Sequence, residues 1–177
     1  RTQSLLAQSP LTLKFLNIEK QFSPPVDWRP KYLQTGTRLW LLNLHYMEFL
    51  EAVDDESFKE LVLNWIDSNI PYDSGYWLDN WNSYSLSIRV VVWMQQITRR
   101  NLSLSHEESQ LIVGSLNAQL RFLNANLELD IGGNHLIKNI KALLWAHRFF
   151  EGKEAKSWYS IGIKLLNKNL DEQITKD

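Results

Sequence analysis

The sequence predicts an all-α fold of helical hairpins stacked side by side, either as an open solenoid arc or as part of a closed helical ring. Three observations carry this prediction. Six segments place apolar residues at helical intervals, no segment makes a convincing strand, and the connections alternate between short and longer ones. There is no strict repeat of the kind that marks armadillo or tetratricopeptide arrays. With 177 residues the chain fits one compact domain able to bury a sizeable core.

The first thirty residues read as a lead-in. Leu5, Leu6, Leu11, Leu13, Phe15 and Leu16 are apolar, but Pro10 interrupts them, and Ser23-Pro24-Pro25 and Arg29-Pro30 form a stiff connection in which no helix persists. The helical region is expected over 31–177. A first helix is predicted over Thr37–Val53, on Leu39, Leu42, Met47, Phe49 and Leu50. Asp54-Asp55-Glu56-Ser57 is an acidic start signal for a second, about Glu56–Ser68, with the stripe Leu61, Leu63, Trp65 and Ile66 and with Pro71 beyond its end. The connection Pro71–Ser83 is long and rich in aromatics, which marks it as functional. A third helix is expected over Tyr84–Arg99. Ser103 or Ser105, followed by Glu107 and Glu108, caps a fourth over His106–Ala125. The turn Asp130-Ile131-Gly132-Gly133 leads into a fifth over Asn134–Phe150, Gly152 stops it, and a sixth runs over Lys153–Thr175.

Composition limits the function classes. Hydrophobic residues are 44% and charged ones 22%, as in an ordinary globular protein. A formal net charge of -1 supplies no global attraction to nucleic acid or an anionic membrane, so any polyanion must meet local basic groups. The chain has no cysteine, which excludes disulfides, thiolate metal sites and cysteine nucleophiles. No apolar run approaches the ~20 residues of a membrane span; Ile88–Met94 is short and holds Arg89. The chain starts at Arg1 without a methionine, so the natural N-terminus is expected to precede it. Eight Trp, six Tyr and seven Phe are the excess, suited both to a core and to stacking on sugar faces.

Three stretches carry possible chemistry. In the first, Trp40 to Phe49, Asn43, His45 and Tyr46 fit hydrogen bonds to neighbouring helices or the lining of a groove. In the second, Trp77 to Arg89, the rings of Trp77, Trp81 and Tyr84 are interleaved with Asn, Asp and Ser ahead of a helix, a pattern that suits sugar hydroxyls and C–H faces. Arg89 sits in an otherwise apolar helix and needs a partner, an internal carboxylate such as Asp79 or a substrate anion. In the third, Glu128 to Asn139, Gly132 and Gly133 permit unusual backbone angles and close approach of a ligand. Asn134 and His135 then occupy a first helical turn, where free N–H groups favour an anion; a plain turn and N-cap fit the same residues. Four scattered histidines offer no metal site, no cofactor is expected, and no nucleophile elbow exists for a Ser-His-Asp hydrolase. Asp79 and Asp130 are the loop carboxylates that glycoside hydrolysis would have to use.

Together the three stretches resemble the N-terminal helical region of the heparinase II/III-like polysaccharide lyases, and that of related alginate lyases. The resemblance rests on Asn43-Leu44-His45-Tyr46, on Trp81-Asn82-Ser83-Tyr84-Ser85-Leu86-Ser87-Ile88-Arg89 ending near Trp93, and on Gly133-Asn134-His135-Leu136 with Asn139 and Ala142-Leu143-Leu144. It implies an incomplete (α/α) toroid followed in the parent chain by a β-sandwich domain. It also implies β-elimination on an acidic, uronate-containing polysaccharide and a bacterial periplasm or envelope. Asn134 would neutralise the uronate carboxylate with help from His135, and Asn43, His45, Tyr46, Trp77, Trp81, Tyr84, Arg89 and Asn139 would line the substrate groove. The family's catalytic Tyr and a later His fall beyond Asp177, so the chain is expected to be a fragment without lyase activity of its own. A glycan-binding module that does not cut, and a helical scaffold for protein partners, are the alternatives.

Overall fold

Among the residues the computed structural model describes (10–23, 25–30, 38–72, 74–76 and 78–174), helices dominate. They are α1 Arg38–Tyr46, α2 Asp55–Ser68, α3 Ser83–Arg99, α4 His106–Ala125, α5 Gly133–Phe149 and α6 Lys153–Ile174. The fold is all-α, and α2 to α6 match their expected spans to within a residue or two. Local chemistry explains the starts. The Asp54 carboxylate accepts from the Ser57 N–H at 2.8 Å. The Asn82 side chain accepts from the N–H groups of Tyr84 and Ser85. Ser105 and Glu108 close a reciprocal capping box. α5, by contrast, begins after a glycine, Gly132, with no side-chain cap.

Two expectations need correction. The first helix does not continue to Val53. Met47 takes φ 56°, in the left-handed region, and a 3₁₀ turn follows over Glu48–Ala52. Full burial of the Met47 side chain holds this strained backbone in place. The lead-in also contains strands. β1 Leu11–Phe15 and β2 Ile18–Phe22 pair antiparallel with Leu11 opposite Phe22. Leu16 and Asn17, both at positive φ, make the tight turn between them, the geometry that suits the twist of a two-residue hairpin. The proximity of Leu5 and Leu6 hid the alternation of Leu11, Leu13 and Phe15.

The hairpin is fastened to α1. Phe15 and Phe22 pack on Trp40 with ring centroids at 5.1 and 5.9 Å, and the Trp40 indole N–H donates to the Ile18 carbonyl at 3.0 Å. Trp28 is buried and donates to the Asn64 carboxamide oxygen of α2 at 2.8 Å. The described part of the lead-in therefore shares the main core.

The helices form two layers. α3 is central in one, with α1 and the 3₁₀ turn on one side and α5 on the other. In the second layer α4 packs on α2, and the Arg121–Glu154 pair, joined by two hydrogen bonds of 2.7 and 2.8 Å, ties α4 to α6. The hairpins α3–α4 and α5–α6 connect the layers. No described helix is long and apolar enough to cross a membrane.

Candidate functional site

α3 forms the floor of a trough. The 3₁₀ turn that follows α1 is one wall and α5 is the other. At the head of the trough α1, α3 and α5 each contribute a ring. Tyr46, the last residue of α1, meets Tyr84 of α3 edge-on at 5.8 Å. The Tyr84 ring in turn lies 4.3 Å from the imidazole of His135, in the first turn of α5.

Glu128, in the turn before α5, anchors this corner. One carboxylate oxygen lies 2.9 Å from His135 Nδ1. The other accepts from Asn139 Nδ2 at 3.0 Å, while the Glu128 backbone N–H donates to Asn139 Oδ1 at 2.9 Å. A carboxylate facing Nδ1 selects the tautomer with hydrogen on that nitrogen, which leaves Nε2 as the atom that can serve a ligand. The backbone also contributes: the Glu128 carbonyl accepts from Gly132 N–H at 3.0 Å, closing the turn. Gly132 and Gly133 take φ 64° and 51°, and a side chain on either would meet nothing within 4 Å. The space above them is open. Leu136 N–H is the first in α5 to find a helical carbonyl, that of Gly132, so the N–H groups of the preceding residues are left for other partners. Asn134 is exposed there, and the His135 side chain is 42% exposed.

The Tyr46 hydroxyl is held protonated. Burial, then the neighbouring Tyr84 and the carboxylates of Glu48 and Glu128, push its pKa up to about 12. At neutral pH it is a donor and not a base.

Other residues expected to line the groove lie behind it. His45 and Arg89 are fully buried. The Trp65 indole N–H donates to His45 Nδ1 at 3.2 Å, so that nitrogen must stay unprotonated. Burial first, and then the positive charge of Arg89, lowers the His45 pKa to about 3, against a weaker opposing pull from the Trp28 backbone. Arg89 corrects a specific expectation, because Asp79 is not its partner. Its guanidinium stacks over Trp65 at 4.0 Å and donates to Gln119 Oε1 at 2.8 Å and to the His45 carbonyl at 3.0 Å. Asp79 faces Arg38 at 3.5 Å instead. Desolvation lowers the Arg89 pKa well below its ordinary value, and neutral oxygens plus a ring face carry a cation that no described carboxylate neutralises.

Trp81 is 3% exposed, donates to the Asn69 carbonyl at 3.0 Å and packs on Phe122. Asn139 is fully buried in its bracket with Glu128. Side chains so enclosed shape the site from beneath and present no surface to a ligand. Asn43 bonds back to the Leu39 carbonyl of its own helix at 2.7 Å, and Trp77 lies outside the described residues. The structure thus brings together Tyr46, Tyr84, Asn134, His135 and, behind them, Asn139. Glu128 is the residue the sequence reading passed over. It is separated from His135 by seven positions across a turn, so no helical spacing pointed to it. No group of three or more His, Asp or Glu able to hold a metal ion occurs among the described residues.

A family model described as "Heparinase II/III N-terminus" matches residues 52–177, a span holding Tyr84, Glu128, Asn134, His135 and Asn139. Neither a search of curated proteins nor one of solved structures found a match. Since the matched span covers well over half of its length, the chain belongs to the heparinase II/III N-terminal family.

Proposed function

We propose that the chain is the carboxylate-binding toroid part of a polysaccharide lyase that cleaves uronic-acid-containing glycans by β-elimination. The observation that carries this reading is the first turn of α5: uncapped, open above Gly132 and Gly133, and presenting Asn134 beside an imidazole braced by Glu128.

In β-elimination the C5 proton leaves to a base, the C5–H electrons form a C4=C5 double bond, and the C4–O bond breaks as the departing oxygen takes a proton. The C5 proton is weakly acidic because the adjacent carboxylate is already negative. Donors fixed on that carboxylate stabilise the enolate-like charge that builds up on it. Asn134 Nδ2, with the unpaired N–H groups of the turn, supplies such donors, while His135 Nε2, bare in the tautomer that Glu128 selects, is an acceptor for a sugar hydroxyl. The layered order, with α1, α3 and α5 side by side and α2, α4 and α6 behind, supports an arc of an (α/α) toroid. The glycan is an acidic polysaccharide, and a bacterial periplasm or envelope fits such a substrate.

The test is turnover in the full-length protein on heparan sulfate and alginate, read as unsaturated uronate. Asn134→Ala is expected to reduce the rate by roughly 100-fold or more, by analogy with other lost oxyanion donors, with the melting temperature unchanged because Asn134 is exposed. A near-normal rate removes Asn134 from the mechanism. Tight glycan binding with no product from the unaltered protein would replace the lyase reading by a glycan-holding module.

A further inference from the structure

Below the Tyr46–Tyr84–His135 corner the trough continues as a groove of about 90 Å³. Its floor is the stripe Ile88, Val91 and Val92 of α3. Its walls carry opposite charges: Glu48 and Glu51 on the 3₁₀ turn, Lys138 and Lys141 on α5. These four side chains share one groove, yet none forms an ion pair with any described residue. Elsewhere on the molecule such groups do pair, as Lys59 does with Glu56 at 2.7 Å and Arg121 with Glu154 at 2.7 Å. The two walls thus keep their charges apart in this arrangement, and the groove is lined for something that offers hydrogen-bond donors to one side and negative charge to the other.

The groove is in register with the corner. Lys138 and Lys141 follow His135 by three and six positions on one helix, about 4.5 and 9 Å further along the axis at ~1.5 Å per residue. Ser87, also lining the groove, follows Tyr84 by one turn of α3. A polymer whose carboxylate sits on Asn134 and the open turn before it would lay its neighbouring unit here.

Resting on the proposed function, we infer that this groove is a second saccharide subsite. It takes the sugar adjacent to the uronate, with an anionic substituent (sulfate or a second carboxylate) on Lys138 and Lys141 and with hydroxyl groups on Glu48 and Glu51. Ile88, the half-buried member of the α3 stripe, takes the C–H face of the ring.

The experiment is calorimetric binding of a heparan-sulfate tetrasaccharide, an alginate tetrasaccharide and free glucuronate to the chain and to its Lys138→Ala/Lys141→Ala and Asn134→Ala variants. The double-lysine variant should bind at least one tetrasaccharide roughly tenfold or more weakly, as expected for lost charge-assisted hydrogen bonds, and bind glucuronate as before. The tetrasaccharide affected identifies the substituent. Asn134→Ala should weaken all three ligands. Unchanged binding of both tetrasaccharides by the double-lysine variant overturns the subsite and leaves the corner standing, as does equal loss for glucuronate. Failure of the unaltered chain to bind any of the three overturns the corner and the subsite together.

Discussion

Glu128 shows how much one side chain decides at this corner. Its two oxygens serve His135 and Asn139, and its N–H completes the bracket on Asn139. Glu128→Gln keeps the shape and removes the charge, and the amide can then either donate or accept toward His135. Imidazole ¹⁵N shifts are expected to show hydrogen on Nδ1 and a bare Nε2 in the unaltered chain at pH 8, and a mixture of tautomers in the variant. The same tautomer in both would show that Glu128 does not orient the ring. His45 couples the fold to pH. Its pKa is near 3 folded and 6.5 when exposed. The unfolded chain therefore binds a proton that the folded chain refuses, and stability falls as pH drops from about 6.5 toward 3. The slope approaches ~1.4 kcal/mol per pH unit. Urea unfolding between pH 7 and 5 should show this decline, and His45→Gln should reduce it. An unchanged pH dependence in the variant would assign the acid loss to other groups.

At the scale of elements, what the sequence revealed depended on whether its signals were local. α4 was legible because a serine, Ser103 or Ser105, followed by Glu107 and Glu108 announces its start locally, and the cap proves to be Ser105 with Glu108. Ser105→Ala removes half of that box and should cost about 1 kcal/mol, a fall in melting temperature of about 2–4 °C for a chain this size. No change would mean that packing alone fixes the start of α4. The break after Tyr46 was illegible, since nothing in Met47 itself favours a left-handed backbone, and tertiary burial selects it. The β1–β2 hairpin was illegible for a related reason. Its turn, Leu16-Asn17, lacks the glycine that usually marks such turns, and its stability comes from Trp40, outside the strands.

Across the whole molecule, the sequence made the order of helices and the three chemical stretches visible, because periodicity and motif spacing lie within single elements. It left open which polar residues face a ligand and which support the fold, because burial is set by how the two layers meet. Arg89 and His45 belong to the same stretches as Tyr84 and Tyr46. Their different directions around the helices put the first two under the trough, against Trp65, and the second two at its head. On the proposed function, the open first turn of α5 binds a carboxylate. The most direct test follows backbone amide resonances during titration with glucuronate, in the unaltered chain and in Asn134→Ala. Shifts should concentrate at Gly132, Gly133, Asn134 and His135 and largely vanish in the variant. Shifts centred elsewhere, or equally strong at this turn in Asn134→Ala, would contradict it.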